Sequence, residues 1–362
     1  MTKFCLIAGV FTITAFFTAA ITHAQDPNSI LLKNYRPHSI YKVPVTKITK
    51  AKYPVIDMHS HSYMAKSKGD IDKWIALMDK FGIEKTILFT ATCGPQFDSI
   101  YHLFTPYLNR FEIWCSFDFS GFGQPGWADK AVKELERCVK MGAGGVGELG
   151  DKGLGEIFGL PVPGGMHLDD ARLQPLYRKC ADLKIPVSIH VADPMWMYEP
   201  MDSTNDGLMN AYDWRIDPRQ PGLRGHAEML KTLENIVSAN PQTTFIACHL
   251  ANCEYDLSLL GNLLSKYRNL YADFGARFGE IAPVPRYTAA FFKKYQDRLV
   301  YGTDMDPTEF MYETTFRVLQ TADEHFYATE LFGYHWPLEG LDLDDATLKK
   351  IYKDNATKLL KK

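Results

Sequence analysis

The sequence of 362 residues has little basic character and no long run of Lys or Arg. Its formal net charge is −3 at pH 7, from 40 basic and 43 acidic side chains. Because nucleic-acid-binding proteins need a concentrated positive surface, this composition argues against nucleic acid as a main partner. After residue 24, no hydrophobic run is long enough to span a bilayer. We therefore expect a small-molecule ligand, and we leave assembly into a homo-oligomer open.

Cysteine is also scarce, with seven residues, of which six follow residue 24. A chain of this length can form a core without disulfides, so we expect few or none, with Cys248 and Cys253 as the pair to check. Two motifs are missing as well: a glycine-rich phosphate loop after the first predicted strand, and a recognisable Ser-His-Asp or Cys-His arrangement. These absences argue against a dinucleotide-dependent enzyme and against a serine or cysteine hydrolase.

Residues 1–24 have the composition of a secretory signal peptide. A single lysine precedes an apolar run over residues 4–17, and small residues lead to Ala24. This order is typical of a segment removed during export, although an uncleaved membrane anchor is the alternative. Removal predicts a periplasmic or secreted protein with no stable membrane insertion. Residues 25–53 then form a polar N-terminal arm, and residues 54–362 form the main domain.

Short apolar runs rich in β-branched residues alternate with longer amphipathic segments throughout the main domain. This alternation is typical of repeated strand and helix units with a parallel sheet. Eight such runs predict an α/β fold, a (β/α)₈ TIM barrel, in which the carboxyl ends of all strands share one mouth. An open doubly wound sheet is the alternative. The predicted strands are residues 55–58, 85–90, 112–117, 145–149, 186–190, 244–248, 270–274 and 299–302.

The segments between these strands contain apolar residues near helical spacing. Two connections are too long to be simple turns: a glycine- and proline-rich one over residues 150–167, and a long mouth loop after strand 5 over residues 191–222. Long loops in compact domains usually cover or bind ligands. Residues 341–360 predict a closing helix. The other predicted helices are residues 71–81, 128–141, 170–183, 223–239 and 255–267.

The carboxyl ends of four predicted strands carry side chains that can bind metal. His59 and His61 end the first strand, where alternate side chains share one face. His190 ends the fifth strand, His249 follows the sixth, and Asp304 follows the eighth. A single histidine after a strand is usually a hydrogen-bonded core residue, but the whole set at one mouth indicates a divalent metal site.

On these residues the chain resembles the amidohydrolase superfamily, and within it the amidohydrolase-related group that contains aminocarboxymuconate-semialdehyde decarboxylase. The resemblance covers residues 54–360 and includes the His-Ser-His sequence at residues 59–61 and Tyr-Gly-Thr-Asp at residues 301–304. It implies that one divalent ion, with zinc expected, is bound by His59, His61, His190 and Asp304.

The resemblance also implies two catalytic roles. His249 would orient or polarise the bound water or substrate. Zinc can lower the pKa of bound water from about 15.7 to about 7, and Asp304 would take the water's proton and pass it to the leaving group. The leading hypothesis is therefore hydrolysis of a small-molecule amide, ester or lactone. Non-oxidative decarboxylation at the same site is the alternative, and a binding protein that has lost turnover is a third hypothesis.

Glu148, at the end of the fourth predicted strand, leaves the number of ions open. A glutamate at this place is similar to the TatD-like deoxyribonucleases of the same superfamily, in which that carboxylate contacts metal. A second ion would then be held by Glu148, His190 and His249. Otherwise Glu148 accepts a hydrogen bond from a ligand histidine without touching metal. One ion is favoured over two.

Two further residues are candidates for substrate binding. Arg277 follows the seventh strand, where its guanidinium would bind a substrate carboxylate or else pair with Asp273 or Glu280. Trp196 lies in the long loop after strand 5, where it would stack on a planar or sugar-like substrate or else pack the loop onto the barrel.

The signal-peptide hypothesis predicts that the exported protein begins at Gln25 or close to it. N-terminal sequencing or intact-mass measurement of protein recovered after export would show this start, with protein expressed from residue 25 onward as the mass standard. A mature protein that retains Met1 would mean that residues 1–24 form an anchor instead.

Overall fold

The computed structural model describes residues 26–157, 160–161 and 165–360, and the predicted signal peptide lies outside them. Residues 26–35 belong to a separate small unit with two short 3₁₀ turns, Pro27–Ser29 and Leu32–Asn34. The main unit begins at Arg36. Within the described residues, no helix is both long enough and apolar enough to cross a membrane.

The eight predicted strands are all present and form a closed parallel barrel. They are β1 Val55–His61, β2 Ile83–Phe89, β3 Phe111–Trp114, β4 Val146–Asp151, β5 Val187–Val191, β6 Phe245–Ala247, β7 Leu270–Asp273 and β8 Leu299–Val300. Regular ladders pair each strand with the next from β1 through β3 and from β4 through β8. A bridge between Cys115 and Val146 connects these two sets of strands. Met58 N donates to Tyr301 O (2.8 Å), which closes the barrel between β8 and β1.

The helices alternate with these strands. They are α1 Lys68–Phe81, α2 Gly94–Phe104, α3 Trp127–Met141, α4 Gln174–Asp182, α5 Leu208–Ala211, α6 His226–Ala239, α7 Leu257–Lys266, α8 Phe278–Ile281, α9 Pro285–Lys294, α10 Glu309–Gln320, α11 Asp345–Lys349 and α12 Asn355–Leu360. The predicted closing helix is interrupted between α11 and α12 by one π-helical turn, Lys350–Asp354. The sequence-based prediction lacks α2, α5, α8, α9 and α10. Proline near the start of α2 and α9 is typical of a turn, although a helix accepts proline in its first turn.

Two apolar clusters stabilise the barrel on its two sides. The larger one lies between the strands and the helices. The smaller one joins Ile56, Phe89, Trp114 and Val300, which come from four different strands, with partly buried Leu360 of α12 packed against it. Side chains from so many strands meet only inside the barrel, so this cluster fills its interior as in other barrels of this type.

Both long connections contain short local structure. The segment after β4 carries a small antiparallel hairpin, Glu156–Ile157 with Leu160–Pro161. The long loop after β5 contains two 3₁₀ turns, Met195–Met197 and Tyr212–Trp214, around helix α5. Both segments follow the carboxyl ends of strands, so they lie at the mouth of the barrel as predicted.

The cysteines do not crosslink the fold. All six that fall within the described residues are free, including Cys248 and Cys253, which are both buried. No disulfide therefore links the described residues, in line with the expectation of few or none, and the barrel relies on packing and hydrogen bonds.

A buried carboxylate ties the end of β8 to β1. Asp57 accepts hydrogen bonds from Thr303 N (3.0 Å), Thr303 Oγ1 (2.7 Å) and His59 N (3.2 Å). Gly302 permits this close approach, because a Cβ at that position would lie 2.7 Å from the Cβ of His59. The chain that follows β8 is therefore held directly beside His59, which brings Asp304 to the same place.

Candidate metal centre

The six residues predicted to act at the metal lie together at the mouth of the barrel. Four of them belong to the strands β1, β4 and β5, and two directly follow β6 and β8. Most of the cluster is buried, and its most exposed side chain is 20% accessible. The six residues are His59 and His61 on β1, Glu148 on β4, His190 on β5, His249 after β6 and Asp304 after β8.

Glu148 occupies the centre of this cluster. Its Oε1 lies 2.6 Å from His190 Nδ1 and 3.2 Å from His249 Nε2. Its Oε2 lies 3.6 Å from His61 Nε2 and 3.7 Å from His59 Nε2. Each carboxylate oxygen thus faces a different pair of histidines.

Asp304 connects the cluster to open space. Its Oδ1 lies 2.9 Å from His61 Nε2 and 3.6 Å from His59 Nε2, and its Oδ2 lies 3.8 Å from His249 Nε2. Asp304 is the most exposed of the six side chains and lines a cavity of about 530 Å³. A ligand in this cavity would reach the cluster through the Asp304 carboxylate.

Three of the histidines have one ring nitrogen committed to donating a hydrogen bond. A backbone carbonyl or an ionised carboxylate can only accept, so the nitrogen that faces it carries the proton. The other ring nitrogen of each neutral histidine then presents a lone pair. The three contacts are His59 Nδ1 to Asp273 Oδ2 (3.0 Å), His190 Nε2 to Ala192 O (2.9 Å) and His249 Nδ1 to Gly275 O (2.8 Å).

These lone pairs point at the carboxylates of Glu148 and Asp304, which are themselves acceptors. Two acceptors at this distance repel each other unless a proton or a cation lies between them. The buried Nε2 of His59 has no hydrogen-bond partner. Imidazole nitrogens and carboxylate oxygens are ordinary ligands of divalent transition metals, so the residues present fit a metal ion. Sets of ligand atoms within 4.8 Å of one another are His59 with His249 and Asp304, and Glu148 with His190 and His249.

The pKa values of the histidines and carboxylates also reflect how closely these groups face one another. Burial lowers the pKa of His190, but the Glu148 carboxylate more than reverses this and raises it to about 9. Burial likewise lowers the pKa of His59, and Asp273 and Asp304 raise it well above its ordinary value. Burial alone would raise the pKa of the Asp304 carboxyl, but His59 and His61 hold it at about 2. The extra protons take the place that a cation would fill.

Asp273, at the end of β7, is a site residue whose role sequence reasoning missed. Its Oδ2 accepts from His59 Nδ1, and its Oδ1 accepts from the backbone N of His249 (3.1 Å) and of Gly275 (2.9 Å). It therefore fixes the tautomer of one candidate ligand and the position of another, as carboxylates behind metal-binding histidines do. Its place at the end of a predicted strand was the signal available in the sequence.

A left-handed turn of non-glycine residues positions His249. Four consecutive residues have positive φ: His249 at 57°, Leu250 at 54°, Ala251 at 53° and Asn252 at 54°. Such residues cost about 1 kcal/mol or more each, and they persist where the surroundings enforce them. Asn252 supplies part of that enforcement, because its Nδ2 donates to Val191 O (3.0 Å) at the end of β5.

The two predicted substrate-binding residues make their contacts with residues outside the metal cluster. The guanidinium of Arg277 is buried and donates to Asn252 Oδ1 from Nε (3.0 Å) and from one terminal nitrogen (2.7 Å). It also faces Glu280 (3.6 Å), so it pairs with Glu280 and not with Asp273. Trp196 packs against Trp336, with ring centroids 5.1 Å apart. A substrate role for either residue stays a prediction.

A (β/α)₈ barrel with histidines and carboxylates at the carboxyl ends of β1, β4, β5, β6 and β8 defines an enzyme of the amidohydrolase type. The sequence matches the amidohydrolase family over residues 56–362, and the chain belongs to that family. No protein of curated function matches the sequence significantly.

Solved structures with the same fold include several decarboxylases. A 2,6-dihydroxybenzoate decarboxylase bound to 2,6-dihydroxybenzoate is 14% identical, with 85% of this chain and 99% of that chain covered and a TM-score of 0.52. A dihydroxybenzoic acid decarboxylase from Polaromonas, with manganese and 2-nitroresorcinol, is 15% identical, with 85% of this chain and 97% of that chain covered and a TM-score of 0.52. A 5-carboxyvanillate decarboxylase from Novosphingobium aromaticivorans, with manganese and a nitrobenzoic acid, is 17% identical, with 88% of this chain and 99% of that chain covered and a TM-score of 0.50. At these identities the likeness establishes the fold.

Removing candidate ligands should remove metal in a graded way. His59→Ala combined with His61→Ala should abolish binding of the ion that these two histidines would hold, and Asp273→Asn should weaken it by about 10- to 100-fold, because only the support of His59 is lost. Plasma mass spectrometry of dialysed protein and competition with a chelator measure both effects. Asp98→Asn, which alters an ion pair outside the cluster, is the control. Full occupancy in the double variant would place the metal elsewhere.

Proposed function

We propose that this protein is a metal-dependent decarboxylase that releases CO₂ from a small aromatic carboxylic acid without oxidation. The observation that carries the proposal is the cavity at Asp304, which is lined by the aromatic side chains Tyr63, Phe310 and Phe332. Such walls suit a planar ring. The structural relatives named above, which are decarboxylases of benzoic acids, support the same reaction.

The substrate carboxylate would depend on the metal for its binding. No Lys or Arg is among the described residues that line this cavity, and Asp306 and Glu330 are among those that do. A bound divalent ion would supply the positive charge that attracts the carboxylate and stabilises the negative charge that develops when CO₂ leaves. Zinc is expected from the sequence, whereas two of the relatives contain manganese.

Asp304 would handle the proton. With a pKa of about 2, its carboxylate enters the reaction ionised and acts as an acceptor. In decarboxylation, the bond between the ring and the carboxyl carbon breaks, CO₂ departs, and the electron pair stays on the ring carbon. Asp304 would take a proton from a substrate hydroxyl and return it to that carbon. His249, whose Nε2 lies 3.8 Å from Asp304 Oδ2, would orient the carboxylate of Asp304.

Two ions are supported by the position of Glu148, although the sequence favours one. Its two oxygens face different histidine pairs, so one ion would be held by His59 and His61, and the other by His190 and His249. Glu148 would lie between them. A single ion would leave one of the opposed acceptor pairs dependent on a proton.

Hydrolysis of an uncharged ester, lactone or amide is the second candidate. The acidic side chains around the cavity would repel an anionic substrate, which favours a neutral one. In that reaction Asp304 would take its proton from water. For either reaction we propose that the enzyme acts in the periplasm or outside the cell.

The two reactions leave different products. With a panel of hydroxybenzoic acids, esters, lactones and amides, we expect stoichiometric CO₂ release and one solvent deuterium on the ring carbon when the assay is run in D₂O. Asp304→Asn should lower kcat by about 10²- to 10⁴-fold at unchanged metal content, because asparagine cannot accept the proton. Asp306→Asn, which alters the same cavity outside the cluster, is the matched control. Incorporation of ¹⁸O from labelled water into an acyl product, without CO₂, would identify a hydrolase instead.

The number of ions is tested by stoichiometry. Wild-type protein loaded with zinc or manganese should hold about two equivalents, and Glu148→Gln should hold one or fewer, because the shared carboxylate is lost. Metal content per folded chain, with folding checked by circular dichroism, gives the ratio. One equivalent in both proteins would support the single-ion site.

A further inference from the structure

A second cavity, of about 320 Å³, lies at the mouth of the barrel. It is formed by the segments that follow β5, β6 and β7, together with Trp336, and it contains none of the candidate metal ligands. Four aromatic residues line it: Trp196, Tyr255, Tyr287 and Trp336. The cavity is therefore separate from the metal cluster in composition, and it combines large π surfaces in a small volume.

The indole rings of this cavity are held in place. Trp336 Nε1 donates to Gly279 O (2.8 Å), and its ring packs on Trp196 at 5.1 Å with an interplanar angle of 55°. Gly207 packs directly on the Trp196 ring, because a Cβ there would lie 2.3 Å from an indole carbon. The two tyrosines form a more open edge, with Tyr255 and Tyr287 each almost half exposed. Fixed aromatic walls of this kind need no reorganisation to receive a ligand.

Every charged residue that lines the cavity is acidic: Asp206, Glu254 and Glu280. Glu280 already has partners, since it accepts from Tyr334 Oη (3.0 Å) and faces Arg277 (3.6 Å). Glu254 differs, because its side chain is 6% exposed and its Oε2 is buried with no hydrogen-bond partner. Buried carboxylates are almost always paired or hydrogen-bonded. Burial raises the pKa of the Glu254 carboxyl, and the nearby Arg277 guanidinium only partly offsets this, so an added cation in the cavity would stabilise its charged form.

We propose that this cavity binds an organic ammonium group, with the aromatic rings around the cation and the Glu254 carboxylate as its counter-charge. Ammonium ions are attracted to the faces of Trp and Tyr, and aromatic enclosures recognise quaternary ammonium ligands in this way. An anionic ligand would meet three carboxylates, and a purely apolar ligand would offset none of their charge. The proposal goes beyond the decarboxylase function and does not depend on it.

The probe pair is choline and its neutral isostere 3,3-dimethylbutan-1-ol. They share shape and hydroxyl group, so any contact of the hydroxyl with metal affects both equally and only the charge differs. Titrations of the metal-loaded protein, followed by calorimetry or by saturation-transfer NMR, should show choline binding about tenfold or more tightly. Equal affinity for the two probes, or no choline binding, would overturn the proposal.

Variants locate the binding. Glu254→Gln keeps the size of the side chain and removes its charge, and it should weaken choline binding about tenfold or more while leaving the isostere unchanged. Tyr287→Leu, at the exposed edge, should weaken choline binding severalfold without a risk to folding. Tyr212→Leu removes an equally exposed tyrosine outside the cavity and should have no effect. If choline binding survives Glu254→Gln and Tyr287→Leu alike, the cation lies elsewhere.

Discussion

The arrangement of the mouth depends on one carboxylate surrounded by four imidazoles. Glu148 is buried, and three of the four histidines it faces already donate from their other ring nitrogen to Asp273 or to a backbone carbonyl. A group in this position is stable only with a positive charge beside it, whether a proton or a metal ion. The raised pKa of His190 is a consequence of the Glu148 carboxylate. Asp273 and Asp304 raise the pKa of His59, and His59 and His61 in turn depress that of Asp304, so the same opposition of imidazoles and carboxylates extends across the cluster.

The backbone of the barrel is shaped to maintain that opposition. The left-handed turn after β6 directs His249 inward, Asp304 itself has a positive φ of 47°, and Gly302 lets β8 approach His59. Strained backbone of this kind concentrates at functional sites, where the surrounding packing enforces it. The buried hydrogen bonds of Asp57 with Thr303 and of Asn252 with Val191 hold this strained backbone in place. The candidate ligands therefore need little reorganisation to bind a metal ion.

The sequence predicts the fold and the meeting of the candidate ligands at one mouth, because both depend on periodic features. Eight apolar, β-branched runs predict eight strands, and a polar residue at the end of a parallel strand can only lie at the shared mouth. The sequence predicts less where the role of a residue depends on contacts with residues far away in the chain. Asp273 follows the same positional rule, but its role becomes clear only from its contact with His59, 214 residues away. Helices α2 and α9 were missed because a proline near their starts also fits a turn.

The conformation of loops is the part that a linear pattern does not determine. Trp196 stands out in the sequence as an aromatic residue in a long loop, but its neighbours in the cavity come from four separate segments. Only the folded barrel places Trp196, Glu254 and Trp336 around one space. Arg277 is a second example. The sequence allows it to pair with Asp273 or with Glu280, and only the folded chain shows that it faces Glu280 and donates to Asn252.

A chain of polar contacts connects the metal cluster to the second cavity, although the two share no residue. His190 Nε2 donates to Ala192 O, which also accepts from Asn252 Nδ2 (3.2 Å), and Asn252 Oδ1 accepts from Arg277. Arg277 in turn faces Glu280, which lines the second cavity. Because His190 is a candidate metal ligand at one end of this chain of contacts, the metal cluster and the segments that form the second cavity are supported in part by the same residues.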